Sequence, residues 1–486
     1  MRLLKNRFKT VLISGPLIGQ RHDPFSAIPS IPIAVPYLAS YFEKLGSRVV
    51  CIDAFGIAPN SVQPYLSRFT LRGLSAQEIV ERIDPEADII GISVHSGDHH
   101  NLAMDVIRQC KERFSAPLIA GGHQATHLYQ SFLDSGADFV VLGEGEPAIR
   151  GLVSYLRGEK KLEDIHGIAY ANSYQPHIKT KELDTYSFPA YHLLPIENYW
   201  QLNLAHGPLK RGAKYLPLIT SRGCAFGCRF CASSSFWLNK WQPRDLDAVI
   251  DEIRYFKAKF DVTNFHIQDP NFAGSQNRVL EFSQKLVQGR LNITWSLPSG
   301  IKLDSLSEEA FLAMKDAGLE YFNFSPEHAS TSVLRQMGKT VDLEKMIRLV
   351  ACAEKLGIKK GACFIIGYYG ETNKDIMRLK SYLKKLIGAG LDEVSIYIFC
   401  PVPGSSDFNN RMLAGMDYYE GLCWSPRWRK DYKKLNRKRV VLYLFFLWQK
   451  LLRAPVKLLR SILNVYRGNY ELKSEMIISR IIHRNS

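Results

Sequence analysis

"YLPLITSRGCAFGCRFC", residues 215–231, runs from an apolar strand directly into three cysteines spaced C-x3-C-x2-C. The chain has nine cysteines in 486 residues, and the three at 224, 228 and 231 stand too close together to close disulfides comfortably. The opening residues lack a secretory cleavage pattern, and no apolar run approaches the roughly 18 to 20 residues of a spanning helix. A cytoplasmic, reducing location is therefore expected, where cysteines at tight spacing read as metal ligands. Soft thiolates at this density suit zinc or an iron–sulfur cluster. Structural zinc takes four closed ligands, yet no fourth cysteine lies nearby, and His206 falls upstream of the loop. Three thiolates on an iron–sulfur cubane leave one iron open to a ligand.

Outward from this stretch, apolar runs alternate with helical spacing. "NFHIQD", "NITWSLPS", "YFNFSPE", "KKGACFIIGYYG" and "EVSIYIFCPVPG" read as strands, and helices such as "DLDAVIDEIRYFKAKF" separate them. With the strand before the cysteines, this makes six βα units. They fit a partial (β/α)6 barrel over residues 213–407, with chemistry at the carboxyl ends of its strands. Upstream, "TVLISGP", "RVVCIDA", "ADIIGISV", "APLIAGG" and "ADFVVLGEGE" each read as a buried parallel strand. Residues 1–157 are thus expected to form a doubly wound, flavodoxin- or Rossmann-like α/β domain that binds ligands at the carboxyl ends of its strands. Charged and Pro-containing turns make residues 158–212 a linker.

The net charge of +16 is unevenly placed. From Gly421 to Ser486 there are 16 Lys and Arg against 3 Asp and Glu, and the rest of the chain is close to neutral. Within the segment 408–486, nine apolar residues (440–448) sit between basic clusters, and Pro455 interrupts the pattern that follows. Two readings stay open for this basic amphipathic tail. It lies in the headgroup layer of a membrane, or it packs on the barrel with a solvated basic face. Nucleic acid is disfavoured, because the aromatics form one contiguous run instead of interleaved stacking platforms.

The cysteine triplet, with Phe230 before its last member, is the signature of the radical S-adenosylmethionine (SAM) superfamily. The two-domain pattern resembles the cobalamin (B12)-binding-domain radical SAM enzyme family over roughly residues 10–407. The resemblance implies a 4Fe–4S cluster on Cys224, Cys228 and Cys231, with SAM on its open iron. It places Asp269 of "HIQDPNF" and Glu327 of "FNFSPEHAS" among the cofactor-binding residues. "GYYGET" (367–372) and "PVPGSS" (401–406) match further strand-end elements. Here Pro270 replaces a second acid, His328 a Ser, and Tyr369 a Pro.

In the N-terminal domain the resemblance implies bound cobalamin, approached by the backbone at Gly121, Gly122, Gly143 and Gly145. The Asp-x-His-x-x-Gly motif of other cobalamin proteins is absent, and His95, His99, His100 and His123 are the candidate cobalt neighbours. A methylthiotransferase is rejected, since that domain offers only Cys51 and Cys110 towards the second cluster such enzymes carry.

The expected activity is reductive cleavage of SAM to a 5′-deoxyadenosyl radical and methylation of an unactivated carbon, on a small-molecule, hydrophobic or lipid-like substrate. The expected partners are a low-potential electron donor such as flavodoxin or ferredoxin, and the inner membrane surface as a peripheral contact. The alternatives are a non-methylating cyclase, rearrangement or oxidation enzyme, with Tyr368, Tyr397 and Cys400 as hydrogen donors, and a non-catalytic, membrane-docked electron carrier.

Overall fold

The computed structural model describes residues 4–21, 27–171, 173–180, 183–184, 187–409 and 425–482. The chain divides into two compact units, one built from residues up to Tyr199 and the other from Trp200–Phe408 with the tail from residue 425.

The first unit is built on a seven-stranded sheet. Its strands are β1 (Phe8–Ser14), β2 (Ser47–Asp53), β3 (Ile89–Ser93), β4 (Leu118–Gly121), β5 (Phe139–Val141), β6 (Ile168–Tyr170) and β7 (Ser173–Gln175), in the order β7-β6-β5-β4-β3-β1-β2. All five strands expected from the sequence are present, and they pair in parallel. The order β2-β1-β3-β4-β5 is the flavodoxin-like one. The runs are apolar because central parallel strands are covered on both faces; Val11, Ile90 and Val140 are fully buried. Register aligns the carboxyl ends, with Ser14 opposite both Asp53 and Ser93, and Ser93 opposite Gly121. Helices α1 (Ala34–Lys44), α2 (His100–Arg113) and α3 (Gly145–Leu156) connect strands of this sheet.

The stretch 158–212, expected to be a linker, contributes β6 and β7 to this sheet as an antiparallel extension of β5. Ile168 and Ala169 are fully buried there. Three residues carry too little periodicity to read as a strand, but the edge of β5 supplies the partner that makes them one.

The second unit is built on six parallel strands in sequential order: β8 (Tyr215–Leu218), β9 (Asn264–Ile267), β10 (Thr294–Ile301), β11 (Leu319–Glu327), β12 (Lys359–Ile366) and β13 (Glu393–Ile398). These are the six strands expected, and β8 and β13 do not pair, so the barrel is partial. The connecting helices are α4 (Leu246–Phe260), α5 (Gln276–Gln288), α6 (Glu308–Asp316), α7 (Leu343–Lys355) and α8 (Asn373–Gly388). Each begins at a side-chain cap, respectively Asp245, Ser275, Ser307, Asp342 and Thr372, whose oxygen accepts an N–H of the first turn. Such caps satisfy donors the helix itself leaves unpaired.

Three tail helices complete this unit: α9 (Tyr432–Arg453), α10 (Pro455–Arg467) and α11 (Lys473–Ile482). Pro455 takes the first position of α10, where its missing N–H costs nothing. The Tyr443 hydroxyl on α9 accepts from the Ile396 N–H (2.9 Å), and Lys450 Nζ donates to Leu391 O (3.0 Å). At the start of α11, the Ser474 N–H donates to Glu393 Oε2 on β13 (2.7 Å), and Lys473 Nζ donates to Pro298 O on β10 (2.6 Å). Among the described residues no helix is long and apolar enough to cross a membrane.

Candidate active site

The cysteine loop leaves the barrel through a small antiparallel ladder in which Ser221–Gly223 pairs with Trp241–Pro243. Gly223 has φ +81°, and a Cβ there would meet Lys240 O at 2.0 Å, so only glycine closes the base of this excursion. Asp269 braces the entry. Its carboxylate accepts from the Thr220 N–H (2.7 Å), Thr220 Oγ1 (2.6 Å) and Ser221 Oγ (2.6 Å). Burial pushes its pKa up to about 6, against the pull of these donors. The resemblance counts Asp269 among the cofactor-binding residues; in the structure its oxygens engage the two residues that lead into the loop.

The loop is fixed from two further strand ends. The Arg229 N–H donates to Met337 O (2.9 Å), and the Asp407 N–H donates to Arg229 O (3.2 Å). Ser235 Oγ donates to Gly404 O in "PVPGSS" (2.6 Å). Asp407 Oδ2 accepts from the Tyr368 hydroxyl (2.5 Å), and its Oδ1 lies 3.3 Å from Arg229 Nε. Phe230 packs on a buried cluster of Val333, Leu334, Met337, Tyr368 and Phe399. Phe230, directly before the third cysteine, thus anchors the loop to the barrel.

The three thiols lie partly buried. Burial raises Cys224 and pushes Cys228 up to about 11; Lys339 opposes this, while the other thiols add to it. Among the described residues no three His, Cys, Asp or Glu side chains converge on a single-ion site. A cubane asks for something different, three soft thiols each on its own iron. Three mutually interacting thiols on one short loop fit that group.

Glu327, at the carboxyl end of β11, has φ +64°, an uncommon conformation for a residue with a Cβ. Its Oε1 lies 2.9 Å from Lys339 Nζ, with both side chains nearly shielded from solvent. Burial alone would lower the Lys339 pKa, but the Glu327 carboxylate and the nearby thiols outweigh it and the net shift is upward. His328 is fully buried. Its Nδ1 accepts from the Ser330 N–H (2.9 Å), and its Nε2 lies 3.5 Å from Glu371 Oε2. Glu371 also accepts from the Gly367 N–H (2.9 Å). The two motifs "FNFSPEHAS" and "GYYGET" thereby approach each other at His328 and Glu371.

Of the candidate hydrogen donors, Tyr368 commits its hydroxyl to Asp407. Tyr397 is exposed, and Cys400 Sγ lies 3.7 Å from Pro401 O. Lys339, Asp407 and Thr220 escape the sequence reading because no motif marks them; each acts through a residue distant in sequence.

In the first unit, Gly121 ends β4 and Gly122 follows with φ +110°. A Cβ on Gly122 would lie 2.6 Å from Val94 O, one on Gly143 2.3 Å from the His177 ring, and one on Gly145 2.8 Å from Leu38 Cδ2. The chain's own residues make these close approaches. His99 Nε2 lies 2.7 Å from Pro16 O, and His100 Nδ1 accepts from Gln124 Nε2 (3.2 Å). The His95 and His123 rings lie edge to face, 5.7 Å apart, beyond the ends of β3 and β4. Imidazoles at the carboxyl edge of a flavodoxin-like sheet fit a cobalt cofactor in chemistry and in place.

Two family models match: the B12 binding domain over residues 28–153 and the radical SAM superfamily over residues 218–383. The chain is 27% identical over 442 residues to cytidylyl-2-hydroxyethylphosphonate methyltransferase of Streptomyces wedmorensis, covering 82% of this chain and 81% of that protein. It is 27% identical over 336 residues to an uncharacterized methyltransferase of Pyrococcus horikoshii, covering 68% and 70%. Its fold is similar to that of the radical SAM methyltransferase TsrM of Kitasatospora setae, solved with tryptophan and a SAM analogue. That likeness has a TM-score of 0.64 at 15% identity, over 85% of this chain and 77% of that one. With a flavodoxin-like sheet under the one match and a six-stranded partial barrel with its cysteine loop under the other, the chain is a radical SAM superfamily enzyme with an N-terminal B12 binding domain.

Proposed function

We propose that this protein is a cobalamin-dependent radical SAM methyltransferase that methylates an unactivated carbon of a small hydrophobic, lipid-like substrate. The observation that carries the reading is the three-thiol loop with the Glu327–Lys339 pair beside Cys228, at the strand ends of the barrel. When bound, the cluster supplies an electron to SAM, and cobalamin supplies the methyl group that is transferred.

Cys224, Cys228 and Cys231 hold the cluster. Glu327 presents its carboxylate towards SAM, oriented by Lys339. Asp269, Asp407 and Tyr368 act as positioning residues that hold the loop. His95 and His123 mark the cobalamin edge of the first domain, with backbone approach at Gly121, Gly122, Gly143 and Gly145. A low-potential protein such as flavodoxin or ferredoxin delivers the electron. The relatives named as methyltransferases support methyl transfer, and the apolar residues that the basic tail helices expose support a hydrophobic substrate.

The test is an anaerobic reaction of reconstituted protein with SAM, cobalamin and a low-potential reductant, analysed by mass spectrometry. 5′-Deoxyadenosine together with S-adenosylhomocysteine is expected, and Cys228→Ala removes both along with the cluster absorbance. Deoxyadenosine alone would replace the proposal with a non-methylating radical enzyme. Neither product from a protein with an intact cluster and a SAM-insensitive paramagnetic spectrum would replace it with an electron carrier.

A further inference from the structure

Helix α10 turns an apolar face away from the protein. Lys457 and Asn464 turn towards the protein: Lys457 Nζ lies 2.6 Å from Glu354 Oε2 and 3.0 Å from Asp392 Oδ1, and Asn464 Nδ2 donates to Glu475 Oε1 (3.2 Å), with Val465 buried beside them. Its apolar residues Val456, Leu459, Leu463 and Tyr466 face outward, with Val456 and Tyr466 each 76% exposed. They are spaced three, four and three apart, which places them on one face. An amphipathic helix normally does the reverse.

The preceding helix extends the same kind of surface. On α9, Leu442 and Phe446 are buried against the unit, while Val440, Leu444, Leu447 and Leu451 are exposed. The stripe is continuous with cations: Lys433, Arg437, Val440, Leu444, Leu447 and Leu451 alternate by four and three residues, so exposed charge and exposed apolar surface share one side of the helix. Trp448 joins it, 56% exposed. Isolated exposed apolar residues are ordinary, whereas a contiguous ridge rimmed by charge marks an interaction surface.

We propose that the outward faces of α9 and α10 dock the protein on an anionic lipid bilayer, with the ridge entering the boundary between headgroups and acyl chains. The charge selects this occupant. A second copy of the chain would bring Lys433, Lys434 and Arg437 against their like in a tail of 16 cations and 3 acids. Nucleic acid would answer the cations and leave the ridge in water. An anionic membrane answers both, since basic residues are drawn to its surface potential and the ridge buries its apolar area. The helices lie on the membrane, because neither is long and apolar enough to cross it.

The experiment is sedimentation of the full-length protein with vesicles of phosphatidylcholine alone, or of phosphatidylcholine with phosphatidylglycerol, at low and high salt. At least tenfold stronger partitioning to the phosphatidylglycerol vesicles is expected, weakening with salt. Replacing three cations (Lys433→Gln, Lys434→Gln, Arg437→Gln) lowers it by about a hundredfold. Leu444→Ser with Leu459→Ser and Leu463→Ser abolishes it while far-UV circular dichroism stays unchanged, since all three side chains are exposed. Protein that stays in the supernatant with anionic vesicles at low salt overturns the proposal. So does equal binding to both vesicle types. A dimer in sedimentation velocity that the three Leu→Ser changes dissociate, without vesicle binding, overturns it in favour of self-association. These readouts are independent of catalysis.

Discussion

Glu327 Oε1 and Lys339 Nζ stand 2.9 Å apart where β11 ends, joining a residue of left-handed backbone to a nearly buried ammonium. A non-glycine residue held at φ +64° costs about 1–3 kcal/mol and persists only where its surroundings over-determine it. The ion pair supplies that constraint and aims the carboxylate.

Lys339→Met is therefore expected to destabilise the second unit by about 3–5 kcal/mol, because it leaves the Glu327 carboxylate buried without its counter-charge. Denaturant unfolding of the metal-free protein measures this. A change within experimental error would mean that the pair does not form. Glu327→Gln, which removes the charge and keeps the shape, is expected to cost less.

Tyr368→Phe keeps the ring in its apolar cluster and removes one hydrogen bond to the Asp407 carboxylate. The expected cost is about 1.5–3 kcal/mol, the range for a bond to a charged acceptor. Because Asp407 also holds the Arg229 backbone, iron should pass to a chelator faster from this variant than from the parent. Unchanged iron release would show that the loop is held without Asp407.

Adjacent glycines should behave differently. Gly122→Ala places a Cβ 2.6 Å from Val94 O at φ +110°, against backbone that cannot swing aside. It is expected to lower the stability of the first unit by at least about 1–3 kcal/mol. In Gly121→Ala the nearest atom is Val141 Cβ at 3.5 Å, an ordinary contact, and little change is expected. Thermal unfolding of the two variants side by side distinguishes them.

Asp53 gives the first unit a pH dependence of definite sign. Burial raises its carboxyl from 3.8 to about 6, although the Tyr199 hydroxyl donates to it at 2.7 Å. The folded state therefore holds the proton more tightly than the unfolded chain. Stability contributed by this group is present below about pH 4, is lost as the pH rises to about 6, and is flat above that. Asp53→Asn removes the slope, so the stability difference between variant and parent should grow by about 3 kcal/mol across that window and then level off. Urea titrations at intervals from pH 4 to 7 read it directly. A difference that does not vary with pH would assign the same pKa to both states.

Both sheets were legible because their parallel strands are unbroken apolar runs ending in small or polar residues. "ADIIGISV" and "KKGACFIIGYYG" could be placed to within a few residues. The strand Ile168–Tyr170 was not, since a three-residue edge strand is defined by its neighbour and not by its own pattern. In the site, Cys224, Cys228 and Cys231 were legible because metal ligation demands a fixed local spacing. The partners that hold the loop were not. Asp269 stood out by resemblance of its motif, and only geometry shows its oxygens engaged with Thr220 and Ser221. His328 is a departure from pattern in the sequence, and in the fold it is a buried neighbour of Glu371, 43 residues away in sequence. The tail left two readings open because amphipathicity reveals two faces without revealing which one the protein keeps. In α10 the fold keeps the side that carries Lys457 and Asn464, an arrangement that depends on Glu354 and Asp392 lying in other elements.

The contacts at the start of α11 have a consequence for how the protein is made. Lys473 and Ser474 tie β10 to β13, strands that do not neighbour each other in the open sheet. A ribosome delivers α11 after every strand it joins, so during synthesis the barrel exists as a sheet without its clasp. A chain interrupted before residue 473 would lack the donors that Lys473 and Ser474 bring to Pro298 and Glu393, and would keep an unfastened sheet.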